Sequence, residues 1–182
     1  VSDGALLYYL DRAGGRWDLM RSDGYPANAQ RLPSPFPDRN ARLLDISPDR
    51  SQGLLGSFRE RGEEAPLWRQ PASGGAPVRL GDLRALDAIW SADGTAIYYS
   101  YNSALWRASA DGSNPQRLAT LPDTPDWLAW SPDHTRLRFN ATDTATHLQA
   151  LWEWRVGESA AQPLPASSPQ CCGAWSPDGR YY

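Results

Sequence analysis

The stretch IWSADGTAIYYSYNSALWRASADGSNPQRL, Ile89 to Leu118, holds within one segment the features that decide the fold. A Trp precedes Ser91-Ala92-Asp93-Gly94, and Gly94 tolerates the positive φ that a tight hairpin reversal demands. Ala96–Tyr101 (AIYYSY) follows, a short aromatic run bounded by turn residues, which suits a strand better than a helix. Leu105-Trp106-Arg107 announces a third strand, Asp111-Gly112 a second hairpin, and a fourth strand is expected to end at Gln116-Arg117-Leu118.

Outward from this segment the same order recurs. Ser-Pro-Asp or Ser-Ala-Asp stands at Ser47-Pro48-Asp49, Ser91-Ala92-Asp93, Ser131-Pro132-Asp133 and Ser176-Pro177-Asp178, with a clipped form at Ser2-Asp3-Gly4. The five aspartates are spaced by 46, 44, 40 and 45 residues, the period of a four-stranded propeller blade. First strands are expected to end at Ile46, Trp90, Trp130 and Trp175. Second strands are expected at Ala5–Leu10, Gly53–Phe58, Ala96–Tyr101 and Arg136–Ala141. Third strands fall at Trp17–Arg21, Leu67–Arg69, Leu105–Arg107 and Leu151–Arg155, and fourth strands end at Gln30–Leu32, Val78–Leu80 and Gln116–Leu118; the last unit keeps only Gln162-Pro163-Leu164. Arg50 and His134 replace the turn Gly and are expected to loosen two turns.

The fold class is therefore all-β: a β-propeller of antiparallel four-stranded blades, about four blades being present. Repeats are expected at approximately 1–40, 41–85, 86–125 and 126–169, with a further repeat starting at 170–182. Sixteen strands could close a four-bladed ring, but the reading favours a partial arc of a larger, six- to eight-bladed propeller. The nine Trp are first of all packing material between blades; full burial of one contributes up to roughly 4–6 kcal/mol.

Composition excludes several chemistries. The chain has 182 residues, a net charge of −3 and no Lys, which removes the phosphate-loop lysine and the Schiff-base lysine. Arg residues are scattered without a basic stripe, so no nucleic acid partner is expected of this segment. The longest apolar run, Ala5–Leu10, is far below a membrane span, so no membrane insertion by this segment is expected either.

The repeats resemble the Pro-Asp-containing WD-like unit of TolB-like bacterial propellers, which reads approximately W-S-P-D-G, strand, strand, D-G, R-L. More narrowly, AIYYSY with Leu105-Trp106-Arg107, Leu151-Trp152-Glu153, and Cys171-Cys172-Gly173-Ala174-Trp175-Ser176-Pro177-Asp178-Gly179-Arg180-Tyr181 look like the C-terminal propeller of bacterial membrane-linked regulators that begin with a winged helix. That resemblance implies a sensory or interaction module taking part in signal transduction, with a protein or peptide partner, a periplasmic or extracytoplasmic setting, and further blades or domains in the parent chain. Alternatives are the accessory propeller of a prolyl-oligopeptidase-type serine peptidase and a TolB-like envelope scaffold.

No catalytic residue, metal site or cofactor is expected. There is no G-x-S-x-G, G-x-G-x-x-G or H-E-x-x-H. His134 reads as a turn residue, Glu63 and Glu64 as solvated, and the repeated aspartates as acceptors for their own turn amides. Cys171 and Cys172 are adjacent, which disfavours a disulfide between them, and Asn140-Ala141-Thr142 is read as no glycosylation site. If the loops between second and third strands crowd one face, as the resemblance to propellers implies, binding residues are expected at Arg12, Arg16, Arg59, Arg61, Tyr101, Asn102 and His147. Trp127, expected at the entry of a first strand, completes that set.

Overall fold

In the computed structural model the described residues are 6–13, 16–24, 28–36, 40–58, 62–142, 148–165 and 173–182. Among these residues fifteen strands group into one three-stranded and three four-stranded antiparallel sheets, each built from consecutive strands. The first sheet holds β1 (Leu7–Ala13), β2 (Arg16–Ser22) and β3 (Gln30–Arg31); the second, β4 (Asn40–Ile46), β5 (Gln52–Phe58), β6 (Ala65–Pro71) and β7 (Val78–Ala85). The third holds β8 (Asp87–Trp90), β9 (Ala96–Tyr101), β10 (Ala104–Ser109) and β11 (Gln116–Thr120); the fourth, β12 (Asp123–Trp130), β13 (Arg136–Thr142), β14 (Gln149–Arg155) and β15 (Gln162–Pro163). Sequential hairpins explain this topology, since short turns can join only antiparallel neighbours.

Alternation along each strand sends side chains to both sheet faces, and three apolar clusters fill the spaces between successive sheets. Leu19, Leu32, Phe36, Ala41 and Leu55 join the first two sheets. Leu54, Leu67, Leu80, Trp90, Ile97 and Tyr99 join the second and third. Leu105, Leu121, Leu137, Phe139 and Trp154 join the third and fourth. The leading strands β4, β8 and β12 pack beside one another, so their sheets converge at that edge as the blades of a propeller do around its axis.

The four described Ser-x-Asp turns repeat one hydrogen-bonding scheme. Each serine hydroxyl donates to the aspartate two residues on. That carboxylate also accepts the backbone N–H of Ser51, Thr95, Thr135 or Arg180 at 3.0–3.1 Å. The serine oxygen in turn accepts the N–H opening the next segment at 2.9–3.0 Å. These donors hold Asp49, Asp93 and Asp133 down at about 2, the serine hydroxyl being the largest influence on each.

Several expectations are corrected. Arg50 and His134 do not loosen their turns: they take φ of 63° and 52°, next to 68° for Gly94 and Gly179, and keep the same 2.8–3.0 Å closing bond to the serine carbonyl. Three bonds per turn outweigh the steric cost of a left-handed side chain. The Arg-Leu signature opens β7 and β11 rather than ending them, because β7 runs on to Ala85 and β11 to Thr120. Glu64 is not simply solvated; its Oε1 accepts the Asn102 N–H from the neighbouring blade. Residues 173–176 form no strand, and the rest of the expected strand, including Cys171 and Cys172, lies outside the described residues. Trp175 nevertheless packs on the fourth sheet, its Nε1 donating to the Ala129 carbonyl at 3.3 Å.

Candidate functional site

Four residues from the three leading strands meet on the inner side of the arc. Arg42 belongs to β4, Asp87 to β8, and Asp126 and Trp127 to β12. The Arg42 guanidinium donates to Asp126 Oδ1, lies 3.8 Å from Asp87 Oδ1, and reaches the Leu86 carbonyl at 3.4 Å. Asp87 is buried, and its oxygens accept the backbone N–H groups of Ala88 and, across the blade boundary, Leu128, both at 2.9 Å. Burial raises the Asp87 pKa against the pull of Arg42, with Asp126 adding to the rise. Burial acts to lower the Arg42 pKa, but Asp87 and Asp126 outweigh it and keep the guanidinium charged.

Trp127 owes its position to irregular pairing. The register of β12 against β13 shifts on both sides of Asp126, and such bulges turn a side chain away from the regular alternation. Trp127 takes φ of 61° and is 48% exposed, a costly conformation for a bulky residue. Its N–H donates to Asp126 Oδ1 at 2.8 Å, and its ring centroid lies 5.8 Å from the Arg42 guanidinium carbon. Trp127 thus sits inside β12, not at its entry. A cleft of about 440 Å³ opens here, lined by Tyr8, Tyr9, Leu10, Arg42, Asp87 and Trp127 among others. It combines apolar walls, a projecting indole and a charge cluster, the ingredients of a recognition site.

Of the expected residues whose side chains are described, Trp127 alone lines this cleft. Arg12 is exposed at the end of β1. Arg16 opens β2, with its side chain outside the described set. Tyr101 packs on the core between the second and third sheets, and its carbonyl accepts Trp106 Nε1 at 3.2 Å. Asn102, at φ 48°, forms the β9–β10 turn with Ser103, at φ 51°. Arg59, Arg61 and His147 lie outside the described residues. Arg42, Asp87 and Asp126 were missed, although each is a charged residue six or seven positions ahead of a repeat aspartate. Asn140, at 1% exposure in β13, is closed to glycosylation in the folded chain. Among the described residues no cluster of His, Cys, Asp or Glu could hold a metal ion, and no helix is long and apolar enough to cross a membrane.

No family model and no curated protein matches the chain. Solved structures do. It is similar to TolB from Acinetobacter baumannii at 15% identity and a TM-score of 0.74, covering 97% of this chain and 45% of that one. A chain of a nidogen/laminin complex aligns at 12% identity and a TM-score of 0.63, over 87% of this chain and 60% of that one. An oligogalacturonate lyase in complex with manganese aligns at 15% identity and 0.61, over 97% and 54%. The chain thus spans about half the length of these proteins, one of them an enzyme. What it shares with them is the TolB-like β-propeller fold, of which its sheets make up a part.

Proposed function

We propose that this chain is a noncatalytic binding segment of a β-propeller and engages a protein or peptide partner at the cleft lined by Arg42, Asp87 and Trp127, where Asp126 pairs with Arg42. The observation that carries this reading is Trp127: a large aromatic residue held left-handed and half exposed beside a hydrogen-bonded charge cluster. Such strain in an exposed side chain serves packing poorly and recognition well. A structure in complex with another protein among the similar folds supports a partner of that kind. The resemblance to membrane-linked winged-helix regulators supports a sensory role in a bacterial regulator, in an extracytoplasmic compartment, as the larger reading. The likeness to TolB supports a scaffold role as the second reading.

A displayed random-peptide library selected on the full chain tests the reading. Selected peptides should bind Trp127→Ala at least tenfold more weakly while its thermal melting stays like that of the parent chain. Peptides that bind the parent chain and the variant equally, or a selection that yields no specific binder, would overturn it.

A further inference from the structure

A second cleft, of about 580 Å³, opens on the side of the Ser-x-Asp turns, and it meets the first at Leu128, Ala129 and Gly173. Its walls include Pro48, Trp90, Trp130, Pro132 and Trp175, with the carboxylate of Asp45 set among them. Asp45 Oδ2 accepts the Trp90 backbone N–H at 2.8 Å. No basic side chain among the described residues pairs with this carboxylate, in contrast with Asp18, Asp87, Asp126 and Glu153, which each have an arginine.

We propose that this cleft binds an alkylammonium group, with the Asp45 carboxylate as its counter-ion and the surrounding indole and proline surfaces covering its methylene chain. A carboxylate among apolar walls, lacking a cationic partner, attracts one more strongly than a solvated carboxylate does. The same wall already receives cations: the Arg136 and Arg138 guanidinium carbons lie 4.8 and 4.1 Å from the Trp175 ring centroid. Neither arginine neutralises Asp45. Arg138 is committed to Glu153 at 3.0 Å, and Arg136 acts on Asp133.

Burial lifts Asp45 to about 6 against the opposing backbone amides of Trp90 and Ile46, with no charged group contributing. Occupancy is therefore expected to weaken as the pH falls through that value. His134 also lines the cleft, so the pH series is repeated on a His134→Gln variant to isolate the contribution of Asp45.

The experiment is a titration of the full chain with n-butylammonium, followed by the tryptophan indole N–H resonances, with n-butanol as the neutral control. A capped Gly-Lys-Gly peptide in a parallel arm distinguishes a free amine from a lysine side chain. Expected are saturable shifts with butylammonium, at least tenfold weaker binding of butanol, and at least tenfold weaker binding of the cation by Asp45→Asn, whose amide oxygen can still accept the Trp90 N–H. Trp127→Ala should bind the cation as the parent chain does, which keeps this site separate from the partner cleft. Equal binding of butanol and butylammonium, absence of saturable shifts, or undiminished cation binding by Asp45→Asn would overturn the proposal. Should Asp45→Asn fail to fold, the comparison of butanol with butylammonium and the pH series on the His134→Gln chain decide the matter.

Discussion

Arg42 and Asp126 lie 84 positions apart in the chain and form an ion pair between the second and fourth sheets. The blade between them contributes the buried Asp87, 3.8 Å from the same guanidinium. One arginine thereby ties three leading strands together while also bounding the cleft beneath Trp127.

Removing that arginine leaves two carboxylates without their counter-ion, one of them buried. Arg42→Leu should cost about 3–5 kcal/mol, the range for breaking one side of a buried pair. Urea unfolding measures it; a loss under about 1 kcal/mol would show that solvent replaces the pairing.

Stability should depend on pH through Asp45 in a direction opposite to ordinary acid denaturation. Its folded pKa, about 6, lies above the ordinary carboxylate value of 3.8, so the native state holds the proton more tightly between those values. Stability from this group is present below about 4 and is lost as pH rises to about 6. Asp87, also raised, acts in the same sense, whereas Asp49, Asp93 and Asp133, lowered to about 2, contribute stability that is lost as pH falls from 3.8 towards that value. Melting curves from pH 4 to 7 on the parent chain and Asp45→Asn should differ in slope, with the flatter profile in the variant.

The turn geometry makes a paired prediction. Arg50, exposed and at φ 63°, should gain up to about 1 kcal/mol of stability on replacement by Gly, while Gly94→Ala, at φ 68°, should lose about as much. Gly112→Ala should be worse, by about 1–3 kcal/mol. Besides its φ of 87°, a Cβ there would stand 2.9 Å from the Leu80 carbonyl carbon of the preceding blade. Chemical denaturation of the three variants checks the order; an unchanged Gly112→Ala would mean that the blades separate easily.

Two tryptophans should part company on truncation. Trp106 packs on the cluster between the second and third sheets, stacks on Tyr99 at 6.4 Å and donates to Tyr101. Trp106→Ala should therefore cost about 3–5 kcal/mol. Trp127→Ala removes a half-exposed, strained residue and should alter stability by under about 1 kcal/mol. Calorimetry on both tells packing from recognition; equal losses would assign Trp127 to the core.

Local chemistry explains why so much of the architecture was legible. The Ser-x-Asp turns close through bonds within six residues, so Ser47, Ser91, Ser131 and Ser176 mark their hairpins wherever they occur. Short aromatic runs such as AIYYSY alternate between faces whatever lies beyond them. Strand order followed from those two facts. Even here the reach of local rules had an end: Gly is the usual residue at the turn, yet Arg50 and His134 fill its place because the surrounding bonds hold them there.

By itself, the chain's sequence determined the repeat, its period, the order of strands in each blade and the residues that close each turn, because all of these are set by neighbours along the backbone. Only the tertiary structure decided the site. The grouping of Arg42, Asp87, Asp126 and Trp127 depends on how far β4, β8 and β12 converge and on a bulge that turns Trp127 to the cleft. Asp45 became a candidate counter-ion only once its neighbours across the blade boundary were known. Charges separated by about forty residues or more leave no local pattern, and their energies depend on distance and burial, quantities that exist only after the blades have packed.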